Sequence, residues 1–485
     1  MKKILLAAFV LLGFFFACNN DGCPPAATWP AGDTCSVCNL CADPSKKDSL
    51  CNVVPHDVAF RVNSGYVTHL DSLIQPRFDF FSWQSFVALN WAADANGNPS
   101  GAFNTNPNAP RVWETFVDPD TVFVTPHPHL EAMNSARLEA KRKGLKFFRY
   151  ASKFADTVRF NNSFLESDDN ALIDRNLNFV LFEEKINPVE YNYIMRGSLN
   201  TWEGQLAYTA QNRNAIQLPA GFYAKQNPYA NDSTVGSIEI KASWRILLPE
   251  KGDDTSRYYH RQALVFIPGT NTVTGQNLQF TATVGLVGLH IIHKTSAFQL
   301  MVWTSFEHVD NIPENLEEAA AANPFNPNAR RYSFYDPRCV TCPPNVPPGV
   351  SGHDDTLKWA MQMPYAEQYA NLVVGDPPQR QKFGTQVVRM VPIYYKTQQI
   401  NRYWQSKVKG SVWENYKLVG SQWGLRETNV PFAVINAPHL LANSTMETFI
   451  QKDASCISCH NFATMADTAI PTDMSFLFRH AKKPK

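Results

Sequence analysis
Neither sign of charge is in excess in this chain of 485 residues: 44 Lys and Arg face 43 Asp and Glu. That balance gives no electrostatic basis for gripping nucleic acid or an anionic membrane surface. No DNA- or RNA-binding motif is present either. Long apolar runs are also scarce. After residue 16, no stretch is long enough to cross a hydrocarbon core of ~30 Å as a helix, so the body is expected to be soluble. The signatures G-x-S-x-G, H-E-x-x-H, the P-loop and a strand-flanked G-x-G-x-x-G are all missing, which sets aside the chemistries they serve. No period of roughly 20–50 residues marks a repeat array. No linker after residue 55 is long or flexible enough to free an independent domain.

What the chain does hold is aromatic: 32 Phe, 17 Tyr and 11 Trp, within a hydrophobic content of 44%. Such a composition specifies a folded protein with one very large core or two to three ordinary ones. The two ends are less ordinary. Lys2 and Lys3 precede an apolar run from Ile4 to Phe16 that is too short to span a bilayer, which is the pattern of an export signal. It ends in Phe15-Phe16-Ala17-Cys18. A small residue before a cysteine resembles a bacterial lipobox, in which Cys18 would carry the lipid. Plain secretion and a retained anchor are the alternatives, and all three place the body outside the cytoplasm.

Near the other end stands Cys456-Ile457-Ser458-Cys459-His460. Cysteines at i and i+3 lie on one side of a helical turn and can form thioethers to the two vinyl groups of a haem. The histidine that follows then stands under the iron as its proximal ligand. The competing reading is a chance pattern around a disulfide; an exported protein fits the haem reading. The segment after His460 is too short to build the helices that close a free-standing cytochrome c pocket. The haem is therefore expected to pack against the preceding body or a partner protein.

For the sixth iron ligand, Met474 is the nearest thioether. Met465 is expected on the proximal side, and His480 sits in a basic, tail-like end. The body offers His290, His293, Glu307 and His308 as a distal ligand or acid–base group, with Lys294 and Asp310 nearby. On a strand, His290 and His293 point to opposite faces. The competing reading of this block is a hydrogen-bonded polar cluster in the core. Cys23, Cys35, Cys38, Cys41 and Cys51 crowd a leader where disulfides are favoured over a metal or iron–sulfur site in an oxidising compartment. Cys339 and Cys342 lie in a Pro-rich loop, which argues for a structural disulfide over a redox motif. Asp94 to Asn98 is half of a calcium loop without its glutamate, and so a polar turn.

Periodicity predicts a buried amphipathic helix over Phe78 to Trp91, a short strand at Arg111 to Phe116 and a helix over Leu130 to Gly144. A strand is expected at Asn178 to Glu183, followed by a helix opened by Asn187-Pro188. The middle is strand-rich: Ser237 to Leu248, Tyr258 to Ile267, Phe280 to Thr295 and Leu300 to His308. In the third of these, Gly285 and Gly288 allow a bulge or close backbone approach. A long loop covers 311–355. Helices are expected at Leu357 to Val374, Val387 to Lys409 and Ala442 to Lys452, with a strand or hairpin at Trp413 to Trp423. The fold class is α+β, a single large body with helices at both ends. The division is a lipoprotein-type signal peptide (1–17), a cysteine-rich leader (18–54), the body (55–440) and a haem-attachment segment packed on it (441–485).

FSWQSFVALNW at 81–91, VWETF at 112–116, VGLVGLHIIHKTSAFQLMVWTSFEHVDN at 284–311 and LLANSTMETFIQKDASCISCHNFATM at 440–465, followed by SFLF at 475–478, carry a resemblance. With them the chain resembles a family of secreted bacterial proteins labelled "cytochrome c family". The resemblance covers most of the chain after about residue 55, but not the cysteine-rich leader. It implies one covalent haem c and export, and it carries over Cys456, Cys459 and His460 only. Three functions follow as expectations. The first is an electron-transfer protein serving a partner oxidoreductase, held at the membrane by its lipid alone, in the periplasm or on the outer membrane. The second is a peroxidase-like haem enzyme using the His290, His293, Glu307 and His308 block. The third is a binding lipoprotein whose haem senses redox state or a gas.

Overall fold
The computed structural model describes residues 50–58, 74–104, 106–123, 130–149, 171–221, 235–267, 269, 275–296, 298, 300–322, 330–347, 373–374, 379–380, 383–426 and 434–483. The expected signal peptide, Cys18, nearly all of the leader and all but the last two residues of the Leu357 to Val374 helix lie outside these residues. The fold is α+β, in one globular body. No helix among the described residues is long and apolar enough to cross a membrane.

Its elements are α1 (Gln75–Leu89), α2 (Leu130–Arg142), β1 (Lys146–Arg149), β2 (Leu181–Ile186), α3 (Pro188–Arg196), α4 (Trp202–Gln211), β3 (Ile238–Ile246), β4 (His260–Ile267), β5 (Leu278–His293), β6 (Val302–His308), α5 (Leu316–Ala321), α6 (Tyr395–Lys407), β7 (Tyr416–Arg426), β8 (Val434–Ala437) and α7 (Cys456–His460). Val373–Val374 and Gln379–Arg380 add a separate two-stranded ribbon. The eight numbered strands form one sheet centred on β5. β5 pairs antiparallel with β3 over 284–293, with β4 over 278–285 and with β6 over 288–293. The β1–β4 pair is parallel.

One face of the sheet carries α1. Trp83, Phe86, Leu289, Ile291 and Phe306 share its main apolar cluster. The expected amphipathicity of α1 gives way to burial on nearly every side, because α6, itself tied to β7 through Asn401 Nδ2 and Leu418 O at 2.8 Å, covers a second flank. There the Trp83 indole donates to Asn401 Oδ1 at 2.8 Å, and Phe80 lies 5.0 Å from Trp404, centroid to centroid. Ser82 is satisfied inside: its Oγ lies 2.6 Å from Thr304 Oγ1 and 2.7 Å from Ser421 Oγ.

Several boundaries differ from the sequence reading. Val112–Thr115 is a 3-10 turn in place of a strand, with Arg111 N donating to Glu114 Oε2 at 2.7 Å. The strand expected from Asn178 starts at Leu181. The 387–409 helix forms only from Tyr395, with Val387 to Arg389 ahead of it buried in irregular backbone, and the 311–355 loop contains α5. Ala442 to Lys452 is irregular. Its side chains are committed to the sheet instead: Asn443 Nδ2 donates to Phe306 O at 2.8 Å and to Ser305 Oγ at 3.1 Å. Gly288 makes this docking possible, since a Cβ there would lie 2.4 Å from both Ser243 Oγ and Thr445 Oγ1. The chain also steps register beside it, between Ser243 and Trp244. Cys339 and Cys342 form a disulfide.

Candidate cofactor site
The other face of the sheet is the floor of a cleft. Cross-strand register lays two rows of side chains along it: Glu184, Lys241, His290 and Ser305, then Ile186, Glu239, Ile292, Trp303 and Gln422. Glu184, Glu239, Lys241, His290, Ile292 and Trp303 line a cavity of about 840 Å³. That lies within the range of roughly 300–1,000 Å³ usual for small-molecule and cofactor sites. Its walls come from Met446, Glu447 and Ile450, from Cys456, Cys459 and His460, and from residues of the 464–468 and 476–482 segments.

α7 is a single turn of helix. Ser455 caps it, its hydroxyl accepting from Ser458 N at 3.3 Å. β7 anchors it: Gln422 Oε1 accepts from Ile457 N at 2.9 Å, while Gln422 Nε2 donates to Pro438 O at 2.8 Å. Cys456 is buried and Cys459 exposed, and neither is in a disulfide. Burial, with the Glu447 carboxylate beside it, pushes the Cys456 thiol well above its ordinary value.

His460 is held from three sides. Its ring lies 4.3 Å from Trp303 and 4.8 Å from Phe476, centroid to centroid. Its Nδ1 donates to Met474 O at 2.9 Å. A carbonyl can only accept, so Nδ1 carries the proton and Nε2 keeps its lone pair. Burial, and secondarily the Lys241 ammonium, hold the imidazole neutral by pushing it down to about 4 against that hydrogen bond. The bond depends on unusual backbone: Asp473 and Met474 both adopt left-handed φ, 52° and 75°. Such conformations cost on the order of 1–3 kcal/mol each and persist only where surroundings enforce them. Here Asp473 accepts from Leu218 N at 3.0 Å and pairs with Lys294 Nζ at 2.8 Å.

The segment after His460 is clamped to the body throughout. Ile216 N donates to Pro471 O at 3.0 Å, Trp202 Nε1 to Ala466 O at 3.1 Å and Gln205 Nε2 to Phe478 O at 3.1 Å. Met465, Met474, Leu477 and Phe478 join Ile292, Trp303 and Val419 in one apolar cluster. His480, read as part of a tail, closes a 3-10 turn and lines the cleft.

The candidate residues separate accordingly. His290 faces the cleft, buried, with Glu447 Oε2 3.6 Å from its Nε2. Burial, together with Lys241 and His460 nearby, pushes it down to about 3. His293 points through the sheet to α1, where its ring stacks on Phe81 at 5.6 Å. His308 is satisfied away from the cleft: its Nε2 bonds Arg257 O at 2.9 Å and its Nδ1 accepts from Asp310 N at 3.1 Å. Glu307 pairs with Arg389 and with Lys417, at 3.3 Å for the latter, and accepts from Ser444 N at 3.0 Å. It anchors the strand-to-α7 connection and does not reach the cleft. Met474 meets His460 through its backbone carbonyl, and its side chain is buried in the apolar cluster with Ile292 and Trp303, outside the lining of the cleft. Trp303, Gln422, Lys241 and Glu447 escaped the sequence reading, because only cross-strand register and loop docking bring them together.

These donors fit a haem c: two thiols on one turn, a neutral imidazole with its Nε2 free, and a cleft of suitable size beside an orphaned imidazole nitrogen. No family model, no curated protein and no solved structure matches this chain.

Proposed function
We propose that this chain is an exported mono-haem c-type cytochrome that passes single electrons to or from a partner oxidoreductase. One observation carries the reading: the Cys456-x-x-Cys459-His460 turn opens on a cleft with His460 Nδ1 tied to Met474 O, which leaves Nε2 as the iron-ligating atom. A bound haem supplies a reversible one-electron iron couple. Cys456 and Cys459 hold it by thioethers. Trp303 and Phe476 flank the half-buried ring of His460. The carbonyl on Nδ1 fixes the tautomer and raises the ligand's basicity.

Exposure favours electron transfer over a sequestered reaction. Cys459 is exposed, Phe462 beside it is 64% exposed, and Ile450 on the facing wall is 39% exposed. An accessible haem edge rimmed by apolar side chains suits transient docking of a redox partner. A peroxidase needs a distal acid–base set, and of the four residues suggested for one, only His290 faces the cleft. Export belongs to the same reading, through the Lys2 to Cys18 segment, with Cys18 as the lipid-bearing residue. The test is expression in a host that attaches haem outside the cytoplasm. Haem staining on a denaturing gel, present in the parent and absent in a Cys456→Ser, Cys459→Ser variant, is the expected result. A parent band without haem overturns the reading.

A further inference from the structure
A buried ring nitrogen needs a partner, and one in this cleft has none. His290 Nε2 is buried without a hydrogen bond, on a side chain only 7% exposed. Glu447 Oε2, at 3.6 Å, is beyond hydrogen-bonding length. An unsatisfied buried polar atom costs roughly 1–3 kcal/mol, and natural folds carry few. The atom is placed to be used: His290 rises from the sheet floor into the cleft that holds Cys456, Cys459 and His460. Its cross-strand neighbour row adjoins the row of Trp303, on which His460 rests. The two imidazoles thus reach the cleft from different elements, one from β5 and one from α7.

The thioethers and the remaining histidine of the cleft are otherwise engaged. Met446 sits in an apolar cluster with Val287 and Phe334, and Met465 in another with Leu477 and Trp303. A buried thioether needs no partner there. His480 lies against Phe123, its ring 5.9 Å away, on the Phe476–His480 turn that flanks the proximal ring.

We infer that His290 Nε2 is the second protein ligand of the haem iron, giving a bis-histidine, six-coordinate site. This rests on the haem reading above and narrows it, because an iron filled on both faces carries electrons and has no open position for substrate or gas.

The test uses full-length holoprotein, with visible absorption and electron paramagnetic resonance spectra normalised to haem content. The parent should be low-spin in both oxidation states and should not bind carbon monoxide when reduced. His290→Ala should become high-spin and bind carbon monoxide rapidly, and added imidazole should restore the low-spin spectrum. His290→Met, a milder change, should stay low-spin with a raised potential, as a thioether ligand raises it. A high-spin parent, or a low-spin His290→Ala spectrum matching the parent, overturns the assignment. In the second case, loss of that spectrum in Met446→Leu would name the sulfur instead. A parent without covalent haem overturns the reading beneath it, and the gel detects that separately.

Discussion

Glu307 separates a structural account of the histidine-rich strand from a catalytic one. Its carboxylate is fully buried, as is the Arg389 guanidinium it pairs with. It also receives Lys417 at 3.3 Å and Ser444 N at 3.0 Å. Glu307→Gln keeps the shape and removes the charge. Breaking a buried pair from one side costs about 3–5 kcal/mol. Glu314 still reaches Arg389 Nε at 2.7 Å, which places the expected loss near the lower figure. Unfolding entropy of about 2.1 cal/mol/K per residue gives about 1 kcal/mol/K for a chain of this length. The Tm should therefore fall by about 3 °C in differential scanning calorimetry. Adding Arg389→Met should recover part of the loss, because removing both charges leaves none stranded. A Glu307→Gln Tm within about 1 °C of the parent, together with lost peroxide turnover, would refute the anchoring role and restore Glu307 as a catalytic acid.

Gly288→Ala forces a Cβ to within 2.4 Å of Thr445 Oγ1 and Ser243 Oγ; overpacking of this kind costs about 1–3 kcal/mol, and an unchanged urea midpoint would show that the 443–445 loop does not dock there. Gln422→Leu strips the acceptor from Ile457 N, so hydrogen exchange at that amide should accelerate while exchange in β5 stays slow; equal protection in both proteins would contradict the anchoring of α7. Burial raises Asp79 from 3.8 to about 6 against hydrogen bonds from Thr397 and Gln75. With its folded value above its unfolded one, its contribution to stability is complete below about pH 4 and is lost as pH rises through 6, a swing on the order of 3 kcal/mol. Asp79→Asn should thus gain stability relative to the parent at pH 8 but not at pH 4, and a urea-midpoint difference that is the same at both would exclude the effect.

Long periodic elements were legible from residues alone. β5 appears where alternating and apolar residues run from Phe280, and α3 opens at the Asn187 cap with Pro188 in its first turn. Short segments misled. The alternation of Arg111 to Phe116 comes from a 3-10 turn closed by Glu114, and the spacing in Ala442 to Lys452 reflects side chains tied to the sheet across more than a hundred residues of sequence. Of the site, Cys456, Cys459 and His460 are visible because their chemistry fixes a local spacing. The opposite faces of His290 and His293 follow from the strand period. Which of the two meets the cleft depends on the register of β3, β5 and β6 and on where the chain after His460 folds back. No local pattern encodes that. Met474, near His460 in sequence, meets it through its backbone, where a left-handed φ turns the carbonyl to the histidine, and no residue pattern announces that turn.

The central claim is a haem held by two thioethers at Cys456 and Cys459. Intact-mass spectrometry of the exported full-length protein, denatured and reduced, tests it most directly. The account predicts a parent mass that, once the two Cys-to-Ser replacements are allowed for, exceeds that of the identically processed and lipidated Cys456→Ser, Cys459→Ser variant by one haem. A parent protein at the polypeptide mass, with both thiols open to alkylation, would contradict it.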